Sequence, residues 1–85
     1  VPFKIIWSER AARELKKLER PTAKRIYDSV SKLQLDPYHN ILRLTNSRFY
    51  RLRVGDHRVI LDIQNDQLRI LVLEVGHRKN IYEGS

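Results

Sequence analysis

Tyr50-Arg51-Leu52-Arg53-Val54-Gly55-Asp56-His57-Arg58-Val59-Ile60-Leu61 is the stretch that decides the fold of this chain. Apolar residues recur with period two on both sides of Gly55-Asp56, as they do in paired strands. Gly55-Asp56 is a two-residue connection that closes an antiparallel hairpin, and Gly55 suits the first position of a type II′ turn. Counting outward pairs Val54 with His57, Arg53 with Arg58, Leu52 with Val59 and Arg51 with Ile60. Tyr50, Leu52, Val54, Val59, Leu61 and Ile63 then share a face that can cover other elements. Arg51, Arg53 and Arg58 share the opposite face.

Downstream, residues 57–64 and 67–75 continue the period-two pattern, with Asn65-Asp66 read as a second two-residue turn. With the strand at 48–54 they form a three-stranded antiparallel meander. The second turn sets Ile60, Leu71, Leu73 and Val75 on the arginine side. There they form an apolar patch, covered either by the C-terminal tail or by a docked partner peptide.

Upstream, residues 38–47 read as a loop. Ser8 is placed to cap a helix from Glu9 to about Glu19, with Ala11, Leu15 and Leu18 as its apolar stripe. Pro21 suits the first turn of a second helix, which Ala23, Ile26, Val30 and Leu33 continue and Asp36-Pro37 ends. Residues 3–7 read as an opening strand. The predicted fold class is α+β: an N-terminal strand, a two-helix hairpin and the meander, with the helices packed on one sheet face. Residues 1–85 are expected to form a single domain.

Composition narrows the function. The chain has no cysteine, which excludes disulfides, thiolate metal sites and a cysteine nucleophile. His39, His57 and His77 lack metal-ligand spacing, so neither metal nor other cofactor is expected. The apolar stretch at residues 3–7 is too short for a signal peptide or a membrane span, so a cytoplasmic protein with no membrane partner is expected. A net charge of +7 points to a polyanionic partner, either nucleic acid or an acidic protein.

Setting Arg53 opposite Arg58 costs free energy, because like charges directly across a ladder repel. Such a local conflict is expected at a functional site that supplies the missing anion. Guanidinium groups offer planar, bidentate donors matched to phosphate or carboxylate oxygens. The alternative is a solvated basic face with its arginines splayed into water.

The closing segment Val75-Gly76-His77-Arg78-Lys79-Asn80-Ile81-Tyr82, together with Tyr50 to Val59, resembles the RelE/ParE toxin superfamily, and the RelE-type mRNA interferases in particular. The likeness covers nearly the whole chain. It implies a RelE-like microbial RNase fold and the toxin of a type II toxin–antitoxin system. It further implies an endoribonuclease that cuts messenger RNA in the ribosomal A site by attack of a 2′-OH on the adjacent phosphate. The implied partners are the ribosome, its mRNA and a RelB-type antitoxin rich in acidic residues, which Ile60, Leu71 and Leu73 would help to hold.

Carried over by position, the resemblance makes Arg51, Arg53, Arg58, Arg78 and Tyr82 the catalytic set, with His77 and Lys79 contacting RNA. Arg58 and Arg78 would stabilise charge in the transition state. Tyr82 would orient the 2′-OH, stack on a splayed base, or pack the tail on the sheet. Arg51 and Arg53 stand where well-studied members carry lysines. An arginine does not give up its proton near neutral pH, so neither suits a general base. His77 would either take that role or contact phosphate or solvent. The resemblance also admits a ParE-type toxin that inhibits DNA gyrase by binding. A non-catalytic RNA-binding module would use the same arginine face.

Overall fold

A computed structural model describes residues 2–77. The elements are β1 (Lys4–Trp7), α1 (Glu9–Lys16), α2 (Arg20–Ser31), β2 (Ile41–Arg43), β3 (Tyr50–Val54), β4 (His57–Gln64) and β5 (Arg69–His77). Two helices thus precede most of a five-stranded mixed sheet of order β1-β5-β4-β3-β2, an α+β architecture as expected. β1 runs parallel to β5, and the other pairs are antiparallel.

The helices form where the sequence places their signals. Ser8 is extended, and its hydroxyl accepts the Ala11 N–H at 3.0 Å, satisfying a donor that the helix leaves unpaired. α1 ends at Lys16, three residues before the expected boundary. Lys17 and Leu18 donate to Glu14 and Leu15, tightening the last turn before α2 starts with Pro21 in its first turn. Ala11, Ile26, Val30 and Leu33 are buried against Leu52, Val54, Val59, Leu61, Ile70, Val72 and Val75. Leu15, Leu18, Tyr50 and Ile63 pack around that cluster. The apolar face read from the β3–β4 hairpin is therefore the face that covers the helices.

Three expectations are corrected. The stretch read as a loop contains β2, a three-residue edge strand paired with β3. Asn40 precedes it and Asn46 follows it, both with left-handed backbone (φ 58° and 55°), and so short a strand shows no period. The second turn is not two residues long: Asn65–Gln67 makes a 3₁₀ turn and Leu68 adopts the left-handed conformation at φ 52°.

The third correction follows from a bulge in β5. Ile60 pairs with Glu74 but Leu61 pairs with Val72, leaving Leu73 as the extra residue. The inserted residue reverses the facing of everything beyond it. Val75, read on the arginine side, is instead paired with Val59 and buried in the core.

α1 supplies what β1 cannot. β1 pairs with β5 only as far as Val72. Past that point Ser8 Oγ donates to the Leu73 carbonyl at 3.1 Å, and a Glu14 carboxylate oxygen accepts the Val75 N–H at 2.9 Å. Polar groups on this stretch of the β5 edge are thereby satisfied by side chains from the helix start and interior.

Candidate functional site

The hairpin register is the one counted from the sequence: Arg51 opposite Ile60, Leu52 opposite Val59, Arg53 opposite Arg58 and Val54 opposite His57. Gly55 has φ +59° and Asp56 has no positive φ, matching the backbone that a type II′ turn requires. Because Leu52, Val54 and Val59 enter the core, alternation puts Arg51, Arg53 and Arg58 together on the face away from the helices. Residues directly opposite in such a ladder have Cβ atoms about 4.5–5.5 Å apart, so Arg53 and Arg58 are immediate neighbours. Arg53 is exposed, with its Nε 3.4 Å from the Gly55 carbonyl oxygen, while Arg51 and Arg58 are half-buried. Gly76 pairs with Arg58 on its other side and places no side chain beside that guanidinium.

Carboxylates near this face are engaged elsewhere. Glu74, at the bulge, meets Arg10 of α1 at 2.6 Å. Asp62 is the one buried charged residue among those described, and it accepts from Arg48 at 2.7 Å and from Gln64 at 3.2 Å. Arg48 and Asp62 escaped the sequence reading. Their signal was available in part: residues 37–55 hold four arginines and no carboxylate.

The remaining candidates separate. His77 pairs with His57, their rings edge to face with centroids 5.5 Å apart. His57 lies on the same side of β4 as Val59, so this pair belongs to the helix-bearing side of the sheet, away from the arginine trio. That position takes His77 out of direct reach of a phosphate held by Arg53 and Arg58. On the same side, Thr22, Arg25 and His57 line a cleft of about 160 Å³ beside the Gly55 turn. Ile60 is not the open residue expected of a docking patch: it is 3% exposed. Leu71 and Leu73 are half-buried. Arg78, Lys79 and Tyr82 lie outside the described residues.

No described helix is long and apolar enough to cross a membrane. Among the described residues no group of three or more His, Cys, Asp or Glu is arranged to hold a metal ion.

The architecture is that of the RelE-type toxins. A chain of the archaeal RelE–RelB complex from Pyrococcus horikoshii superposes with a TM-score of 0.83 at 19% identity, covering 95% of this chain and 100% of that one. A chain of the RelBE2 toxin–antitoxin complex from Mycobacterium tuberculosis gives 0.81 at 23% identity, covering 92% and 100%. The RelB–RelE complex from Methanococcus jannaschii gives 0.72 at 26% identity, covering 91% and 94%. None of the curated proteins matches the sequence. The family model for the ParE toxin of type II toxin–antitoxin systems matches residues 5–82. The chain belongs to that family, within the RelE/ParE superfamily, and is the toxin of a type II toxin–antitoxin pair.

Proposed function

We propose that this toxin is an endoribonuclease that cuts messenger RNA on the ribosome. The observation that carries the reading is the arginine trio, with Arg53 and Arg58 directly opposed on the sheet face away from the helices. In-line attack of a ribose 2′-OH builds negative charge on the phosphate oxygens and on the departing 5′ oxygen. Fixed cations aimed at those atoms lower the barrier, typically by about 2.7–4 kcal/mol for one such donor. Arg58, half-buried and flanked by Gly76, is the best preorganised of the three for this role. Arg51 and Arg53 bind and orient the phosphate. Arg78 and Tyr82 join them by family resemblance, and Lys79 adds charge for RNA. The products are a 2′,3′-cyclic phosphate and a 5′-OH end.

The 2′-OH proton passes to solvent water and the departing 5′ oxygen takes one from it, because the arginines of this face neither give up nor accept a proton near neutral pH. His77, on the other side of the sheet from the trio, is assigned no part in that transfer. The antitoxin is an acidic RelB-type protein that neutralises the cationic face and covers Leu71 and Leu73, with Ile60 beneath.

One observation favours a second reading. The matching family model is the ParE model, and a ParE-type toxin would inhibit a topoisomerase by binding without cutting RNA. Primer extension on translated messages after brief induction separates the two. Cuts inside codons support the nuclease, whereas DNA damage with intact message assigns the toxin to the gyrase-directed branch.

A further inference from the structure

The five strands contain two carboxylates, Asp62 and Glu74, and both fall on the arginine face. Glu74 pairs with Ile60, and Asp62 follows Ile60 by two residues in β4, so both share the side of Ile60 and Arg58. Glu74 is the diagonal neighbour of Arg58, whose direct partner on β5 is Gly76. Asp62 is the diagonal neighbour of Arg51, whose direct partner on β4 is Ile60. Diagonal pairs lie about 7–8 Å apart, within reach of long side chains. Acids that could relieve the Arg53–Arg58 repulsion therefore already stand on this face.

The fold spends them on other arginines. A Glu74 carboxylate oxygen meets an Arg10 Nη at 2.6 Å, and an Asp62 oxygen meets an Arg48 Nη at 2.7 Å. Arg10 comes from the first turn of α1 and Arg48 from the loop before β3, both outside the trio. Asp62 is 4% exposed, and its surroundings fix it. Glu74 differs: its side chain is 31% exposed, and among the described residues its one ion pair is with Arg10. Arg10 can reach it because β1 leaves the β5 edge after Val72.

Arg10 is itself aimed. Its Nε lies 3.6 Å from one oxygen of Glu14, and the other oxygen of Glu14 accepts the N–H of Val75, the residue after Glu74. Val75, Glu14, Arg10 and Glu74 thus form a closed set of contacts beside the bulge. An ion pair in such a network is held better than an isolated surface pair.

We infer that Arg10 is a positioning residue of the phosphate site, holding Glu74 away from Arg58. The inference rests on the ribonuclease reading above. A carboxylate offers a guanidinium the same bidentate pair of oxygens that a phosphate does, so a released Glu74 would compete with RNA for Arg58. An exposed ion pair forms with a constant of roughly 1.4–5, so that competition should weaken RNA binding by roughly two- to sixfold. A charge about 10 Å away that acted only through screened water would shift binding by about 1.3-fold at 0.1 M salt.

The test titrates a 2′-O-methyl hexauridylate into purified toxin at about 0.1 M salt. Wild type is compared with Arg10→Gln, Arg10→Lys, Glu74→Gln, the double variant Arg10→Gln with Glu74→Gln, and Arg58→Gln. Arg10→Gln should bind roughly two- to sixfold more weakly, and Arg10→Lys, which keeps the cation, should bind as wild type does. Glu74→Gln should change affinity little, and the double variant should match it, because no carboxylate is left to compete. Message cleavage at saturating ribosome concentration should keep the wild-type rate in Arg10→Gln, since bound RNA displaces Glu74; the loss then falls on KM. A double variant as weak as Arg10→Gln would mean that Arg10 touches RNA itself or supports the fold, and overturns the inference. So does an Arg10→Gln change no larger than the background field effect. In both cases a large loss in Arg58→Gln leaves the nuclease reading standing. Unchanged binding in Arg58→Gln removes the phosphate site, and both fall.

Discussion

Replacing Arg53 with Gln should make the protein more stable and less active at once. The side chain keeps much of its length, and the change removes one of two like charges facing each other across the β3–β4 ladder. For unit charges about 5.5 Å apart in a water-like dielectric the repulsion is about 0.75 kcal/mol. The water-like value applies because Arg53 is exposed. Screening leaves about 0.6 kcal/mol at 0.01 M salt, about 0.4 at 0.1 M and about 0.1 at 1 M. For a domain of this size about 0.6 kcal/mol raises Tm by roughly 2–5 °C. Thermal melts of Arg53→Gln and wild type in low and high salt give the comparison. The variant should melt higher in low salt, the gap should close by 1 M, and message cleavage should fall by roughly 10²-fold or more. A variant that melts below wild type in low salt, or a gap independent of salt, would show that the two guanidiniums do not strain each other.

Glu14→Ala removes the acceptor for the Val75 N–H and should cost about 1.5–3 kcal/mol in urea unfolding; Glu14→Gln, which keeps an acceptor oxygen, should recover more than half of that. Equal losses from both variants would point to the charge rather than the hydrogen bond. Gly55→Ala should cost about 1–2 kcal/mol from its φ of +59°. The space beside Gly55 is adequate, since an added Cβ would meet Arg25 at 3.6 Å, so a neutral result would mean the turn relaxes to another type. Leu68→Gly should stabilise the protein by up to about 1 kcal/mol by relieving left-handed backbone at a side chain that is 40% exposed, unless that leucine makes contacts worth as much.

How far the sequence could be read depended on how local each signal was. The β3–β4 hairpin was legible to the exact register because period-two alternation and Gly55 act within a dozen residues. The Ser8 cap and the two helical stripes were legible for the same reason. The β5 bulge was not, because the groups beside it, Ser8 and Glu14, lie more than sixty residues away in the chain. That one inserted residue moved Val75 into the core. Leu68 gave no warning of its left-handed backbone, since leucine is not a residue that favours it.

At the site, charge alternation gathered Arg51, Arg53 and Arg58 on one face from sequence alone. The same parity, followed through the bulge, carries His77 to the other side. Arg48 was hidden because its partner Asp62 arrives from a different strand.

The most direct measurement is cleavage of a ribosome-bound message carrying a single 2′-deoxyribose at the mapped cut site, beside the all-ribose message. If the arginine face serves 2′-OH attack, the ribose message should yield a 2′,3′-cyclic phosphate and a 5′-OH end, and the deoxy message should stay whole at that position. Equal cutting of both messages, or an uncut ribose message with active toxin, would contradict it.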